Sequence, residues 1–114
     1  MSERFTQLTQ GLSIQLAKMR KEMPEFMAGF SAMAQAATKS GVLDKKAKEL
    51  IAMALAVANQ CEGCIGFHSQ TLVKLNTSRE ELLETLSMAV YMGGGPSLMY
   101  AAEALEAFEE FSKN

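Results

Sequence analysis

The 114-residue chain contains few of the side chains that carry chemistry, with two cysteines, one histidine and no tryptophan. Its formal net charge is −2 at pH 7, so electrostatic attraction gives no support to a nucleic-acid partner. The longest apolar run, the nine residues from Leu50 to Ala58, is too short for a bilayer span of about 20 residues. The start of the chain, MSERFTQLTQ, lacks the apolar segment of an export signal. We therefore expect a cytoplasmic protein with no membrane or nucleic-acid partner.

Nearly every segment has the composition and periodicity of an amphipathic helix. Alanine, leucine, methionine, glutamate and lysine favour helices, whereas β-branched residues are sparse and no segment alternates at period two. We predict an all-α fold of about six helices in a single domain that spans residues 1–114. The predicted apolar stripes are Phe5, Leu8, Leu12, Leu16 and Met19 in helix one; Phe26, Phe30, Met33 and Ala37 in helix two; Ala47, Leu50, Ile51, Ala54 and Ala58 in helix three; and Leu98, Ala102, Leu105, Phe108 and Phe111 in helix six.

Local signals predict where the helices begin and end. Pro24 suits the first turn of helix two, and Asp44 is a predicted N-cap for helix three. Helix four is expected to end near Leu75, and Ser78 with Glu81 forms a capping box for helix five. A GGGP segment then separates helices five and six. The last helix carries a predicted solvated face of four glutamates, Glu103, Glu106, Glu109 and Glu110.

Both cysteines and the histidine lie within eight consecutive positions, in the segment CEGCIGFH. On a helix with about 100° per residue, His68 lies about 20° from Cys61 and about 40° from Cys64 around the axis. The three side chains therefore share one face. An interruption at residues 59–60 places both cysteines in the first turn of helix four, where unpaired backbone N–H groups stabilise a thiolate.

This arrangement is typical of a redox site. Two thiols at positions i and i+3 can close a disulfide, and one sulfur can attack an oxidant while the other resolves the product. His68, one turn beyond Cys64, can carry protons. If helices three and four fold back near residue 60, Glu49 lies about 18 Å before Cys61 and His68 about 10 Å after it. A long side chain, a tilt or a water must cover that difference for Glu49 to join the site.

These residues resemble a known family. Glu49, followed after eleven residues by Cys61-x-x-Cys64-x-x-x-His68, is similar to the alkylhydroperoxidase D-like group of the carboxymuconolactone decarboxylase superfamily. The resemblance runs from about Leu43 into the last helix. It implies an all-α fold that assembles into homo-oligomers, commonly trimers or hexamers. It also implies a peroxidase that cycles between dithiol and disulfide, with a hydroperoxide substrate and an external dithiol reductant or reductase protein.

The resemblance also implies a role for each site residue. Cys64 corresponds to the peroxide-attacking thiol and Cys61 to its resolving partner, while Glu49 and His68 correspond to the proton relay. The best-studied members have a second histidine just before the second cysteine, and Gly63 stands there in this chain. The lactone decarboxylases of the superfamily typically lack the cysteine pair.

Other interpretations of the motif remain open at this point. The cysteines could be small buried residues, or they could bind zinc together with His68 and Glu49, although zinc motifs more often bring a second Cys/His pair. The chain could also be a lactone-processing or decarboxylating enzyme of the same fold, or a helical redox sensor without catalysis. No metal, haem or nucleotide site is visible in the sequence, so we expect no cofactor.

Overall fold

The computed structural model describes residues 3–113, which form six α-helices and no strand. The helices are α1 (Arg4–Glu22), α2 (Pro24–Thr38), α3 (Lys45–Ala58), α4 (Glu62–Lys74), α5 (Arg79–Gly93) and α6 (Gly95–Ser112). The predicted all-α fold is confirmed. Among the helices of the described segment, none is long and apolar enough to cross a membrane.

The helix starts follow the predicted capping signals. The Asp44 carboxylate accepts a 2.8 Å hydrogen bond from the Ala47 N–H at the start of α3. Ser78 and Glu81 form the full capping box at the start of α5, each side chain accepting the backbone N–H of the other residue. Between α5 and α6, Gly94 adopts a φ of 79°, a backbone conformation that glycine takes without steric cost. Local sequence therefore determines these boundaries.

The hydrophobic core is centred on α4, which packs most extensively against α6 and α3. Because α4 contacts α1, α3 and α6, the site residues at its first turns are held on a helix at the centre of the fold. The largest fully buried apolar side chains come from four different helices: Phe5, Met53, Val57, Ile65, Leu72 and Leu82.

The predicted apolar stripe of α6 is partly wrong. Phe108 and Phe111 are buried as expected, but Leu98 is 51% exposed and Ala102 is also exposed. The buried face instead continues through three alanines, Ala101, Ala104 and Ala107. Small side chains let two helices approach closely, so α6 turns its alanines toward the core. Leu98 and Leu105 instead line a groove between α6 and α5.

The apolar stripe of α2 exists, but it faces outward. Phe26, Phe30 and Met33 are 60%, 56% and 60% exposed, and Met27 is the buried apolar residue of this helix. Since α2 packs against α1 and α3 through its other side, three large apolar side chains remain uncovered in a single chain. Such a patch is typical of a surface that contacts another molecule.

The acidic face predicted for α6 is not uniformly solvated. Glu110 is only 7% exposed, and its carboxylate accepts the backbone N–H groups of Phe5 at 3.2 Å and Thr6 at 2.6 Å. No side chain of α1 itself caps this helix start. Glu110 therefore satisfies backbone donors at the N-terminus of α1, where a negative charge is also favourable for the helix dipole.

Candidate active site

The turn between α3 and α4 positions the first cysteine. Gln60 takes a left-handed φ of 57°, and the Cys61 N–H donates to the Ala56 carbonyl at 3.0 Å. This bond spans five residues and closes the end of α3 in a Schellman-type turn. Cys61 thereby becomes the N-cap of α4. The backbone that ends one helix thus fixes the place of the sulfur that begins the next.

Cys61 and Cys64 are joined by a disulfide in this structure, with their Cα atoms 5.3 Å apart. The Cys64 N–H also donates to Cys61 Sγ at 3.2 Å, so the sulfur takes the position of an N-cap oxygen. Both residues are half-buried at the first turn of α4. Opening the bond would release two thiols at a helix N-terminus, which stabilises the thiolate form.

A carboxylate–imidazole pair lies one turn further along α4. His68 Nδ1 is 2.7 Å from Glu49 Oε1 across the interface of α3 and α4. Glu49 is only 3% exposed, whereas the side chain of His68 is 32% exposed. When Nδ1–H donates to this carboxylate, Nε2 of the neutral ring is the proton acceptor. The contact proposed from the antiparallel arrangement of helices three and four is therefore present.

Gly63, the position at which the family resemblance implied a second histidine, is covered by α1. A Cβ atom at this position would lie 2.7 Å from Leu12 Cδ1, closer than real carbon contacts allow. A larger side chain would require Leu12 to move. Helix α1 thus occupies the space next to the motif, and the described site contains one histidine rather than two.

A second charged cluster adjoins the cysteine motif. Glu62 lies between the two cysteines, and its carboxylate pairs with Arg4 of α1. Arg4 also contacts Glu103 at 2.8 Å and Glu106 at 3.4 Å, both on α6. Sequence analysis did not identify this cluster, because its members are far apart in the chain and no motif connects them.

The carboxyl groups of this cluster perturb each other. A hydrogen bond with Glu103, together with desolvation, raises the pKa of Glu62, and Arg4 opposes that rise. For Glu103, desolvation opposes the shift, but hydrogen bonds with Glu62 and Arg4 outweigh it and lower its pKa. The carboxylates in turn raise the pKa of Arg4, chiefly through the bond with Glu103. The guanidinium therefore stays charged beside the motif.

Within residues 3–113, no three His, Cys, Asp or Glu side chains are grouped so that they could hold a metal ion. Glu49 and His68 engage each other, and the two sulfurs are bonded together. The structure thus brings the predicted site residues into two adjacent pairs along α4. The chemistry suited to this arrangement is thiol–disulfide exchange next to a proton acceptor.

Comparison with known proteins identifies the family. Residues 24–107 match the sequence profile of the carboxymuconolactone decarboxylase family. The chain belongs to the carboxymuconolactone decarboxylase family. A solved member of this family from Legionella pneumophila is 78% identical, with a TM-score of 0.96 over 97% of this chain and 99% of that one. The predicted family resemblance is confirmed.

More distant family relatives share the fold or part of the sequence. A solved family protein from Thermotoga maritima is 25% identical, with a TM-score of 0.82 over 92% of this chain and 90% of that one. An uncharacterized protein of Cupriavidus necator is 39% identical over 104 residues, covering 91% of each chain. Alkyl hydroperoxide reductase AhpD of Mycobacteroides abscessus is 32% identical over 63 residues, covering 55% of this chain and 36% of that protein.

Proposed function

We propose that this family member is a thiol-dependent peroxidase that reduces organic hydroperoxides through the Cys61–Cys64 pair. The observation that carries the proposal is the disulfide at the first turn of α4, one helical turn before the Glu49–His68 pair. The similarity to AhpD of Mycobacteroides abscessus supports the same chemistry. An antioxidative role has also been suggested for the Thermotoga maritima relative.

The proposed cycle begins with the attack of Cys64 on the peroxide. The Cys64 thiolate takes the terminal oxygen, the O–O bond breaks, and a proton delivered to the leaving alkoxide yields the alcohol. The resulting sulfenic acid condenses with the Cys61 thiol, which forms the disulfide and releases water. An external dithiol then reduces the disulfide and is itself oxidised to a disulfide.

The positions of the side chains support the proposed roles. Cys64 is the third residue of α4, in the first turn, where the helix dipole favours a thiolate. Cys61 is bonded to it and needs no rearrangement of the chain to resolve the sulfenic acid. His68 moves protons through Nε2, and Glu49 holds the ring in that tautomer. A dithiol donor implies a reducing compartment, so we propose a cytoplasmic location.

We also propose that the protein functions as a homo-oligomer, a trimer or hexamer. The outward-facing stripe of α2 and an apolar groove of about 490 Å³ between α5 and α6 support this proposal. The exposed side chains Ile51 and Leu55 of α3 add to the uncovered apolar surface. The assembly mass is measured by light scattering, and a monomer at micromolar concentration would refute this part of the proposal.

The test of the peroxidase proposal is hydroperoxide consumption with one dithiol donor. We compare the wild type with Cys61→Ser, Cys64→Ser and His68→Ala, and use Gln7→Ala, an exposed position on α1, as the control. We expect Cys64→Ser to lose both sulfenic acid formation and turnover. Cys61→Ser should form sulfenic acid once, without turnover, because the resolving thiol is absent.

Two outcomes would contradict the proposal. Full turnover by Cys64→Ser would show that Cys64 is not the attacking thiol. If the wild type consumed no hydroperoxide with any dithiol donor, while its thiols still cycled between dithiol and disulfide, the pair would act as a redox sensor rather than a peroxidase.

A further inference from the structure

Arg4 is the cation that faces the cysteine motif. It lies at the first residue of α1, and its guanidinium contacts carboxylates from α4 and α6, namely Glu62, Glu103 and Glu106. The guanidinium carbon also lies 4.7 Å from the centre of the Phe5 ring, and Phe5 is fully buried. A buried aromatic ring and three carboxylates thus hold this side chain in one place.

Glu62 is the carboxylate that affects the thiols most directly. It is the first residue of α4 and lies between Cys61, the N-cap, and Cys64. A negative charge at this position opposes the formation of any thiolate at the same helix end, because like charges repel. The helix N-terminus and Glu62 therefore act on the thiols in opposite directions.

The other charges around the motif do not remove this conflict. From α3, Glu49 is engaged by His68 of α4. From α6, Glu103 and Glu106 add further negative charge, and Glu110 is directed to the start of α1. The guanidinium of Arg4 is bonded directly to Glu62, so it is the positive charge placed to offset that carboxylate.

We propose that Arg4 is a positioning residue for the thiol chemistry, because its pairing with Glu62 keeps the charge of that carboxylate from raising the pKa of the thiols. The inference rests on the proposed dithiol function. When an external dithiol opens the disulfide, two thiols replace one uncharged bond, and a positive charge nearby favours the thiolate that follows. Arg4, from α1, supplies a positive charge directly beside Glu62.

The expected effect is modest and electrostatic. A carboxylate within about 10 Å of a thiolate at a half-exposed site shifts the thiol pKa by roughly half a unit. Removing the positive charge of Arg4 should therefore slow thiolate-dependent alkylation about threefold at a pH below the thiol pKa. The difference should largely disappear near 1 M salt, where the screening length is about 3 Å.

The test is the pH profile of iodoacetamide alkylation of the reduced protein. The variants are Arg4→Gln, Arg4→Lys, Glu62→Gln and the double variant Arg4→Gln/Glu62→Gln. Arg79→Gln is the matched control, because Arg79 also pairs with a glutamate of α6, Glu109, at a similar exposure. Arg79 lies just beyond the C-terminal end of α4, whereas the cysteine motif lies at the N-terminal end of that helix. Exposed ion pairs contribute little to stability, so these variants should remain folded.

We expect Arg4→Gln to raise the lower apparent thiol pKa by roughly half a unit, while Arg4→Lys keeps it near the wild-type value. The thiol pKa of the double variant should return to the wild-type value, since the Glu62 carboxylate is then also absent. An unchanged pKa in folded Arg4→Gln would overturn the inference, and so would an equal shift in Arg79→Gln. Alkylation requires no peroxide, so the two proposals can fail separately. If the variants show these shifts but the wild type consumes no hydroperoxide, the peroxidase proposal alone is refuted.

Discussion

The exchange of Glu49 for glutamine is the sharpest test of the proton relay. Glu49 is 3% exposed, and its Oε1 lies 2.7 Å from His68 Nδ1. Glutamine has nearly the same shape and can still accept the Nδ1–H through its amide oxygen. The substitution therefore removes the negative charge and leaves the packing of α3 on α4 intact.

The expected loss of rate follows from the change of a charged hydrogen-bond acceptor to a neutral one. A bond to a charged partner contributes about 1.5–3 kcal/mol, and a neutral one about 0.5–1.5 kcal/mol. If the difference of about 1–2 kcal/mol acts in the transition state, the rate of peroxide reduction falls about 5- to 30-fold. Because Glu49 is buried, we expect the upper part of that range.

The assay is single-turnover oxidation of the reduced protein by an organic hydroperoxide across a range of pH. Glu84→Gln, an exposed position on α5, is the control and should match the wild type. Urea unfolding establishes that both variants are folded. A folded Glu49→Gln that is oxidised at the wild-type rate at every pH would show that the Glu49 carboxylate takes no part in proton movement.

Two further predictions concern how α1 is held against the site. A Cβ at Gly66 would lie 2.7 Å from Thr9 Cγ2, and a Cβ at Gly63 would lie 2.7 Å from Leu12 Cδ1. Leu12 can change its rotamer, whereas Thr9 is buried and β-branched and cannot move away. We expect Gly66→Ala to destabilise the fold by about 1–3 kcal/mol and Gly63→Ala by less than about 1 kcal/mol, measured by urea unfolding; equal losses would contradict this reasoning. Glu110→Gln should lower the unfolding free energy by about 1–3 kcal/mol, because the start of α1 loses its carboxylate acceptor, and it should increase amide exchange in the first turn of α1. Unchanged exchange there would show that α1 does not depend on Glu110.

The parts of the site that could be predicted are those determined by local geometry. Cys61, Cys64 and His68 lie on one helix, so their spacing alone indicates a shared face. Glu49 required one further assumption, an antiparallel hairpin of α3 and α4, and the structure contains its contact with His68. The catalytic roles of these residues stay predictions.

Arg4 could not be found in this way. Its contacts with Glu62 and Glu103 join residues 58 and 99 positions apart in the chain. They depend on how α1 packs across α4 and α6, and neither helical periodicity nor capping signals carry that information. The only sequence signal was an excess of glutamates on helix six, which fits a solvated face equally well.

The same limit explains the error in α6. The helix carries two runs at helical spacing, so periodicity alone did not determine which one is buried. One run is Leu98, Ala102 and Leu105, and the other is Ala101, Ala104 and Ala107. The choice depends on how closely α4 approaches, and the alanine face permits the closer approach. Burial of Phe108 and Phe111 was predictable because both large side chains lie at the end of either stripe.

The N-cap role of Cys61 makes one backbone amide a reporter of oxidation state. The Cys64 N–H donates to Cys61 Sγ, which changes from a disulfide sulfur to a thiol sulfur when the bond is reduced. Because the acceptor of this hydrogen bond differs between the two states, the nitrogen resonance of the Cys64 amide should move with the redox state. NMR of this single amide can thus show whether the cysteine pair is a disulfide or a dithiol, without any label on the sulfurs.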